Sequence, residues 1–526
     1  MEELPISLKT ISVEAENTFL TTDKNIYLPT SQQQQSSQNA FDLLRSMAIP
    51  TLVVAPGGKS VQDIFGNEIS IYINSLPADN FELEGMKTTD VKKVEILDAP
   101  TDPRFKGAKR AVNFIMQRYE YGGYTKLTLG QTALNGYYNN NDLFSKFSYK
   151  KMTFDLYAGV RNSDYRHRGS DKTETYNITS SPIIRTEEVE HARVQENSYP
   201  LTLRATYSTN KIIVRNTLYY TYETTPIDYS EGKLTYNNKD IAGRSYIKSE
   251  PETSRQLSYN GMLFNSFNKN TSLNVEANLS FAKLNRNDTY TSSTFDKIDY
   301  NIAENIYTYR VETYLLRTIG QKHSIQLGGN SGGNVNNVTY ERFDNYSDKL
   351  NLFFCSPKLS YRYRTDKLNF NLTAGFAYER IASGALTQKD SYPWVWASFR
   401  YQLNKKHQIS VSLNYVTTTP AIDTRSNAII QSNDLLYLGG NPSLENYRNL
   451  TGNIVYNFYH SNSFNLAVFS GCNLNFDKVT AIYMPYDNGK ALLRSFINNG
   501  NYTNYYLGTS ANYNLLNNKL QLYANI

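Results

Sequence analysis

From about residue 122 onward, apolar and polar side chains alternate one by one. Leu273, Val275, Ala277, Leu279 and Phe281 interleave with Asn274, Glu276, Asn278 and Ser280. Leu368, Phe370, Leu372, Ala374 and Phe376 repeat the pattern against Asn369, Asn371, Thr373 and Gly375, as do Ile409, Val411, Leu413 and Tyr415 against Ser410, Ser412 and Asn414. A period of two puts one set of side chains on each face of an extended chain. The pattern predicts strands of about ten residues or more, greasy on one face and polar on the other.

Two kinds of connection separate these strands. Tight polar turns are predicted at Lys150-Lys151, Thr209-Asn210-Lys211, Asn268-Lys269-Asn270, Gly320-Gln321-Lys322, Thr365-Asp366-Lys367, Asn404-Lys405-Lys406, Ser461-Asn462 and Asn517-Asn518-Lys519. Long polar connections are predicted at about Ser163–Tyr199, Thr224–Glu252, Asn285–Asn305 and Thr417–Arg448. Brief turns at one end and long loops at the other are the arrangement of a transmembrane barrel. Eight such turns join sixteen strands, and one more near Gly123–Gln131 brings the expectation to seventeen. A plugged barrel takes about 22 strands. The expectation is therefore a barrel incomplete at its C-terminus, cut off at Ile526 without a closing aromatic residue.

Composition agrees with strands that face two solvents. The chain has 44 Tyr, 24 Phe and only 2 Trp, and 40 % of it is apolar, yet its mean hydropathy is negative. No apolar run is long enough for a transmembrane helix, whereas barrel strands need only about 9–11 residues with every second one apolar. A net charge of +6 spread along 526 residues does not argue for nucleic acid. Cys355 and Cys472 are too few for a disulfide framework and read as small strand residues, with a single bridge as the alternative. No signal peptide is read in Met1 to Thr10; for an exported protein the expectation is then a mature or trimmed start, or an incomplete gene.

Before residue 119 the pattern changes to that of a small mixed domain. Phe41, Leu43, Leu44 and Met47 predict a short helix from Ala40 to Met47, ended by Ile49-Pro50. Thr51–Ala55, Glu68–Asn74, Val94–Leu97 and Ala111–Ile115 predict strands, and residues 31–40 a polar linker. The division expected is 1–30 as an N-terminal segment, 31–118 as a small α/β domain and 119–526 as the barrel.

Signs of catalysis are scarce. Gly57-Gly58-Lys59-Ser60 imitates the end of a phosphate-binding loop, but that loop needs a Gly where Val53 stands, so a turn is expected. His167, His191, His323, His407 and His460 are scattered, without metal-ligand spacing, and no G-x-S-x-G elbow occurs. No catalytic residue, metal or cofactor is assigned. Tyrosines such as Tyr165, Tyr176, Tyr222, Tyr229 and Tyr307 read as an interfacial girdle or loop packing, with a binding surface as the alternative.

Certain segments resemble the plug domain of TonB-dependent outer-membrane receptors of the Bacteroidetes type. They are Ile73, Asn74 and Pro77, with Ser75 in place of the usual Gly; Val94, Glu95 and Pro100; and Ala111, Val112, Asn113 and Ile115. A second resemblance lies over 300 residues downstream, in an outer loop, where Pro420 is followed by Gly440, Asn441, Pro442, Leu444 and Glu445, without the Pro expected before Glu445. Thr10, Ile11, Ser12, Val13, Glu14 and Ala15 resemble a TonB box, a segment that adds as a strand to the energy-transducing partner; an ordinary first plug strand is the other reading. The resemblance implies a plugged barrel in the outer membrane of a Gram-negative bacterium, bounded by lipid and lipopolysaccharide. It further implies import of a nutrient (ferric siderophore, cobalamin, glycan or peptide) with TonB as partner and a surface lipoprotein as a further candidate partner. Rival readings are a structural or adhesive barrel without transport, and a soluble β-propeller, since the turns recur at blade-like intervals.

Overall fold

Strand pairing follows the predicted hairpins. In the computed structural model nineteen strands share one sheet that closes on itself. Two of these, Lys172–Tyr176 and Arg244–Ser249, are short pieces inside outer hairpins. The other seventeen form the wall, from Tyr121–Thr132 round to Leu520–Asn525, matching the number the turns predict. The structure describes residues 18–525 except 22–23, 50, 55–57, 65, 99, 107, 118, 135, 179–180, 238–242, 293–294, 342–345, 384–385, 426–427, 462–463 and 516–519; the TonB-box candidates Thr10 to Ala15 lie outside the described residues.

Every sequential pair of wall strands is antiparallel, so an odd count brings the first and last together pointing the same way. That seam lies between Tyr121–Thr132 and Leu520–Asn525. Leu127, Leu129, Tyr505 and Leu507 beside it are the most exposed apolar side chains of the wall strands.

Alternation decides which face each residue takes. Leu257, Leu263, Leu279, Leu315, Leu327, Leu359, Leu372 and Leu413 all point outward and exposed, as a lipid-facing band requires. Tyr121, Tyr149, Tyr207, Tyr361, Tyr401 and Tyr513 ring that band beside the tight turns, and Tyr199, Tyr220, Tyr307 and Tyr309 ring it on the other side. These are the two interfacial girdles.

The outer hairpins differ from the sequence expectation. Residues read as long connections continue as paired strands, so that Ile183–Ser208 runs 26 residues and Ile212–Tyr236 runs 25. Beyond the membrane both faces of a strand meet water or protein, so the apolar alternation disappears while backbone pairing goes on.

Inside the ring sits a sheet of six strands in the order Thr18–Leu20, Lys24–Tyr27, Val91–Asp98, Arg110–Met116, Ser70–Ile73, Leu76–Pro77. Helix Ala40–Met47 covers it, capped by Asn39 and stopped by Ala48 in the left-handed region. Phe41, Leu43, Leu44, Val94, Ile96, Val112 and Phe114 make its core. Residues 31–36, expected as linker, form a helix. Thr30 and Gln33 close a capping box there, and the Gln34 amide donates to the Val91 carbonyl at 2.7 Å. Local capping thus overrides low complexity.

Candidate functional site

The inner domain is seated low in the ring, near the tight turns. Arg204 and Arg215 point inward from two neighbouring wall strands. Arg204 pairs with Asp79 and Glu82 at the start of helix Asn80–Gly85, and Arg215 donates to the Pro77 carbonyl at 2.6 Å. Burial pushes the Glu82 carboxyl up, but Arg204, Arg215 and Lys146 more than reverse it and hold the group well below the usual carboxylate range. Phe81 stacks on Tyr157 and touches Phe144, and Gly85 lies so close to the Phe144 ring that a Cβ would collide with it.

Further fastenings follow round the ring. Lys106 pairs with Glu276. The Thr101 carbonyl and hydroxyl accept from Gln326 (3.1 Å) and Arg362 (3.1 Å), next to buried Pro100. Asp98 pairs with Arg400, and Asn25 and Tyr27 meet the Tyr459 hydroxyl at 3.3 and 3.2 Å.

The motif residues of the inner domain hold its own sheet together. Asn113 is central: its Oδ1 accepts from the Ser75 backbone N–H (2.9 Å) and its Nδ2 donates to Glu95 (3.2 Å). Glu95 also pairs with Lys24 (2.7 Å) and Lys93 (2.8 Å). Asn74 and Ser75 both take positive φ, so the left-handed turn survives without the usual Gly. Asn74 Oδ1 accepts from the Met116 N–H at 3.0 Å, which fastens that turn. Val94, Ala111 and Val112 are buried in the sheet; Ile73 and Ile115 are half-buried.

The outer-loop motif has a different office. Loops after Thr418 and after Phe476 together build a second sheet of four strands, Ile429–Gln431, Leu436–Gly439, Ala491–Asn498 and Val479–Tyr486, in that order. Asn441 joins the two loops, its Nδ2 donating to the Phe496 carbonyl (2.8 Å) and its own N–H to the Thr424 carbonyl (2.7 Å). The Gly440 carbonyl accepts from Ser495, and Glu445 exchanges two backbone bonds with the Asn498 side chain. Leu444 is buried between them, as is Pro420 at the loop's root; Pro442 begins the turn after Asn441.

This small sheet springs from one side of the mouth and is latched to the other. Arg185, 1 % exposed, donates to Asp434 (3.0 Å), Glu174 (3.0 Å), Glu187 (3.0 Å) and the Tyr290 hydroxyl (3.0 Å). Tyr236 also donates to Asp434, Asn433 donates to the Tyr176 hydroxyl (2.9 Å), and the Gln431 N–H donates to Tyr300 (2.9 Å). Leu435 and Leu492 pack on Tyr176 and Ile183. Tyr176 is therefore loop packing, while Tyr307 faces outward in the upper girdle and Tyr222 stacks on Tyr199.

Among the described residues no group of three or more His, Cys, Asp or Glu is placed to hold a metal ion. His323 and His407 hydrogen-bond Tyr361 (2.8 Å) and Tyr456 (2.6 Å) beside the tight turns. Cys355 and Cys472 are both free thiols. Lys59, of the loop-like Gly58-Lys59-Ser60, pairs with Glu84 at 2.9 Å.

The sequence carried a partial signal for Arg204 and none for the latch. In Leu201-Thr202-Leu203-Arg204-Ala205-Thr206, alternation puts Arg204 on the polar, inward face. Nothing in the spacing of Arg185 and Asp434, 249 residues apart, could join them.

No family model matches the sequence, and no curated protein does. Solved structures do match in fold. The siderophore receptor PirA from Pseudomonas aeruginosa aligns with a TM-score of 0.59 at 10 % identity, over 96 % of this chain and 84 % of that one. The copper transporter OprC aligns with a TM-score of 0.58 at 9 % identity, over 96 % and 78 %. The Serratia marcescens hemophore receptor HasR, solved with its hemophore HasA and heme, aligns with a TM-score of 0.53 at 11 % identity, over 94 % and 80 %. This chain shares their fold, a β-barrel closed round an N-terminal sheet domain.

Proposed function

We propose that the chain is a TonB-dependent receptor of the Bacteroidetes type, which binds a nutrient at the mouth of an outer-membrane barrel and passes it to the periplasm. The residues from 18 to 116 act as the plug, and the lid sheet as the outer gate. A ring of this circumference needs a seal that also yields, and the observation that carries the reading is a separate sheet held inside the ring by side-chain contacts at its rim. Such contacts break one at a time, so a pull on the N-terminal segment can loosen the seat without unfolding the wall. Residues 10–15 supply the handle for TonB by strand addition. The neighbours known as a copper transporter, a siderophore receptor and a hemophore receptor support nutrient uptake, and this chain's own cargo is a ferric siderophore, cobalamin, glycan or peptide. The chemistry requires no catalytic residue.

Growth of a deletion strain on limiting iron, cobalamin or oligosaccharide tests the proposal. Loss on one source is expected, with rescue by the intact gene and no rescue by a version lacking residues 10–15. Equal growth of all three strains on every source would overturn it in favour of a structural or adhesive role.

A further inference from the structure

The two rims of the wall carry charge in different ways. At the outer rim cations come with carboxylates: Lys172 pairs with Glu174, Lys233 with Glu190, Lys248 with Glu250 and Arg448 with Asp477, all at 2.5–2.9 Å. At the other rim the eight tight turns hold nine lysines and a single carboxylate, Asp366. Lys150, Lys211, Lys269, Lys322, Lys367 and Lys405 stand one on each of six turns, all exposed and none with an ion-pair partner among the described residues. Consecutive turns are two strands apart, which spaces them by about 10 Å along the rim.

These lysines stand where the lipid-facing surface ends. Tyr149, Tyr207, Tyr361 and Tyr401 point outward and exposed, each between one and six residues from a turn lysine. Lys150 shows the direction such a side chain takes: its Nζ lies over the ring of Tyr149, 5.4 Å from the centroid. His323 and His407, each the first residue of the strand after its turn, are set in the same belt, against Tyr361 and Tyr363 and against Tyr456 and Phe458. An aromatic belt marks the depth of the lipid headgroups. A lysine just beyond it lays its methylenes along the belt and its ammonium among the phosphates. Solvation alone would be served as well by mixed charges, as at the outer rim, whereas a row of unpaired ammonium groups attracts anionic headgroups.

We infer that the tight-turn rim is a docking collar for anionic phospholipids. The phosphate of a lipid in the adjoining leaflet meets a turn lysine, and its acyl chains lie on the outward leucines. Zwitterionic lipids, whose own cation offsets the phosphate, are held less well. Such a collar acts on the barrel whatever cargo passes through it.

Lipid selectivity of the whole protein in vesicles tests the collar. The chain is reconstituted in phosphatidylcholine with a trace of spin-labelled phosphatidylglycerol or spin-labelled phosphatidylcholine, and the motionally restricted fraction of each label is read by electron spin resonance. Phosphatidylglycerol is expected to be preferred by about fivefold, the effect of one lysine meeting one headgroup charge. The preference is expected to fall by more than half in about 1 M salt, where the screening length shrinks to about 3 Å. A quadruple variant, Lys322→Gln, Lys367→Gln, Lys405→Gln and Lys406→Gln, removes four of the nine turn lysines and is expected to lose about half of the preference. All four positions are exposed, and a thermal transition equal to the parent's shows that the variant folds. Replacing paired lysines of the outer rim, Lys172→Gln, Lys233→Gln and Lys248→Gln, is expected to leave the preference unchanged. Equal restriction of the two labels in the parent, or an equal loss in the two variants, overturns the collar. So does equal restriction joined to retention of the parent, and not of the quadruple variant, on purified peptidoglycan, which would assign the lysines to the cell wall.

Discussion

At the scale of single residues, the plug seat depends on a few buried charges. Arg204 is 4 % exposed and faces two plug carboxylates. Removing one partner of a buried pair leaves the other uncompensated, at about 3–5 kcal/mol. Arg204→Ala is therefore expected to release the plug without opening the wall. Protease cleavage within residues 70–116 of the detergent-solubilised protein should appear in the variant and not in the parent. Double replacement with Glu82→Gln should recover part of the loss, and a fully additive double variant would contradict direct pairing. Gly85→Val tests close approach instead of charge. Its side chain collides with Phe144, so the same proteolytic release is expected although every ion pair is retained. Alternation marks such positions as inward but not what they meet. Asn74, Glu95 and Asn113 were singled out by resemblance alone; the bonds they make join residues 18, 38 and 42 positions apart and emerge only in the folded sheet.

Among elements, the wall side of the lid latch has a pH dependence that can be stated. Burial pushes the Glu174 carboxyl up, but hydrogen bonding and charge from Lys172, with Arg185 beside them, hold it below its ordinary value. A group whose folded pKa is depressed stabilises the folded arrangement above its unfolded pKa and loses that contribution as pH falls through the folded value. The latch is thus intact at neutral pH and weakens below about pH 4, the ordinary carboxylate value. Amide exchange within 429–439, normalised to the intrinsic rate at each pH, should be slow at pH 5 and quicken at pH 3; equal protection at the two would count against the latch. At neutral pH, Asp434→Asn removes a charge-assisted bond of about 1.5–3 kcal/mol, and amide exchange across 429–439 should quicken by about tenfold or more. The outer hairpins and the lid were the elements least legible in the sequence. The outer hairpin strands carry polar residues on both faces and the lid strands carry apolar residues on both, and periodicity reports only a difference between faces. Helix 31–36 was missed likewise, because capping by Thr30 and Gln33 left no apolar stripe.

For the whole molecule, outward leucines between two tyrosine girdles require lipid or detergent. Extraction with carbonate is expected to leave the protein in the membrane pellet, and removal of detergent to precipitate it. Monodisperse behaviour in plain buffer would reject the barrel and favour the propeller. Deleting residues 18–116 should leave the wall able to fold and open the lumen, measured as new sensitivity to antibiotics too large for ordinary porins. Unchanged sensitivity would mean that something other than the plug closes the ring.

The sequence by itself determined the wall: two-residue periodicity and the tight turns specify strand number and the face that meets lipid, because each is settled by neighbours along the chain or across one hairpin. It also determined the core of the inner domain, whose helix and strands bury their own apolar faces. Only the tertiary structure decided where that domain is fastened and that two distant loops share a sheet. Those features arise between residues hundreds of positions apart, and closing a ring, not any local preference, brings them together.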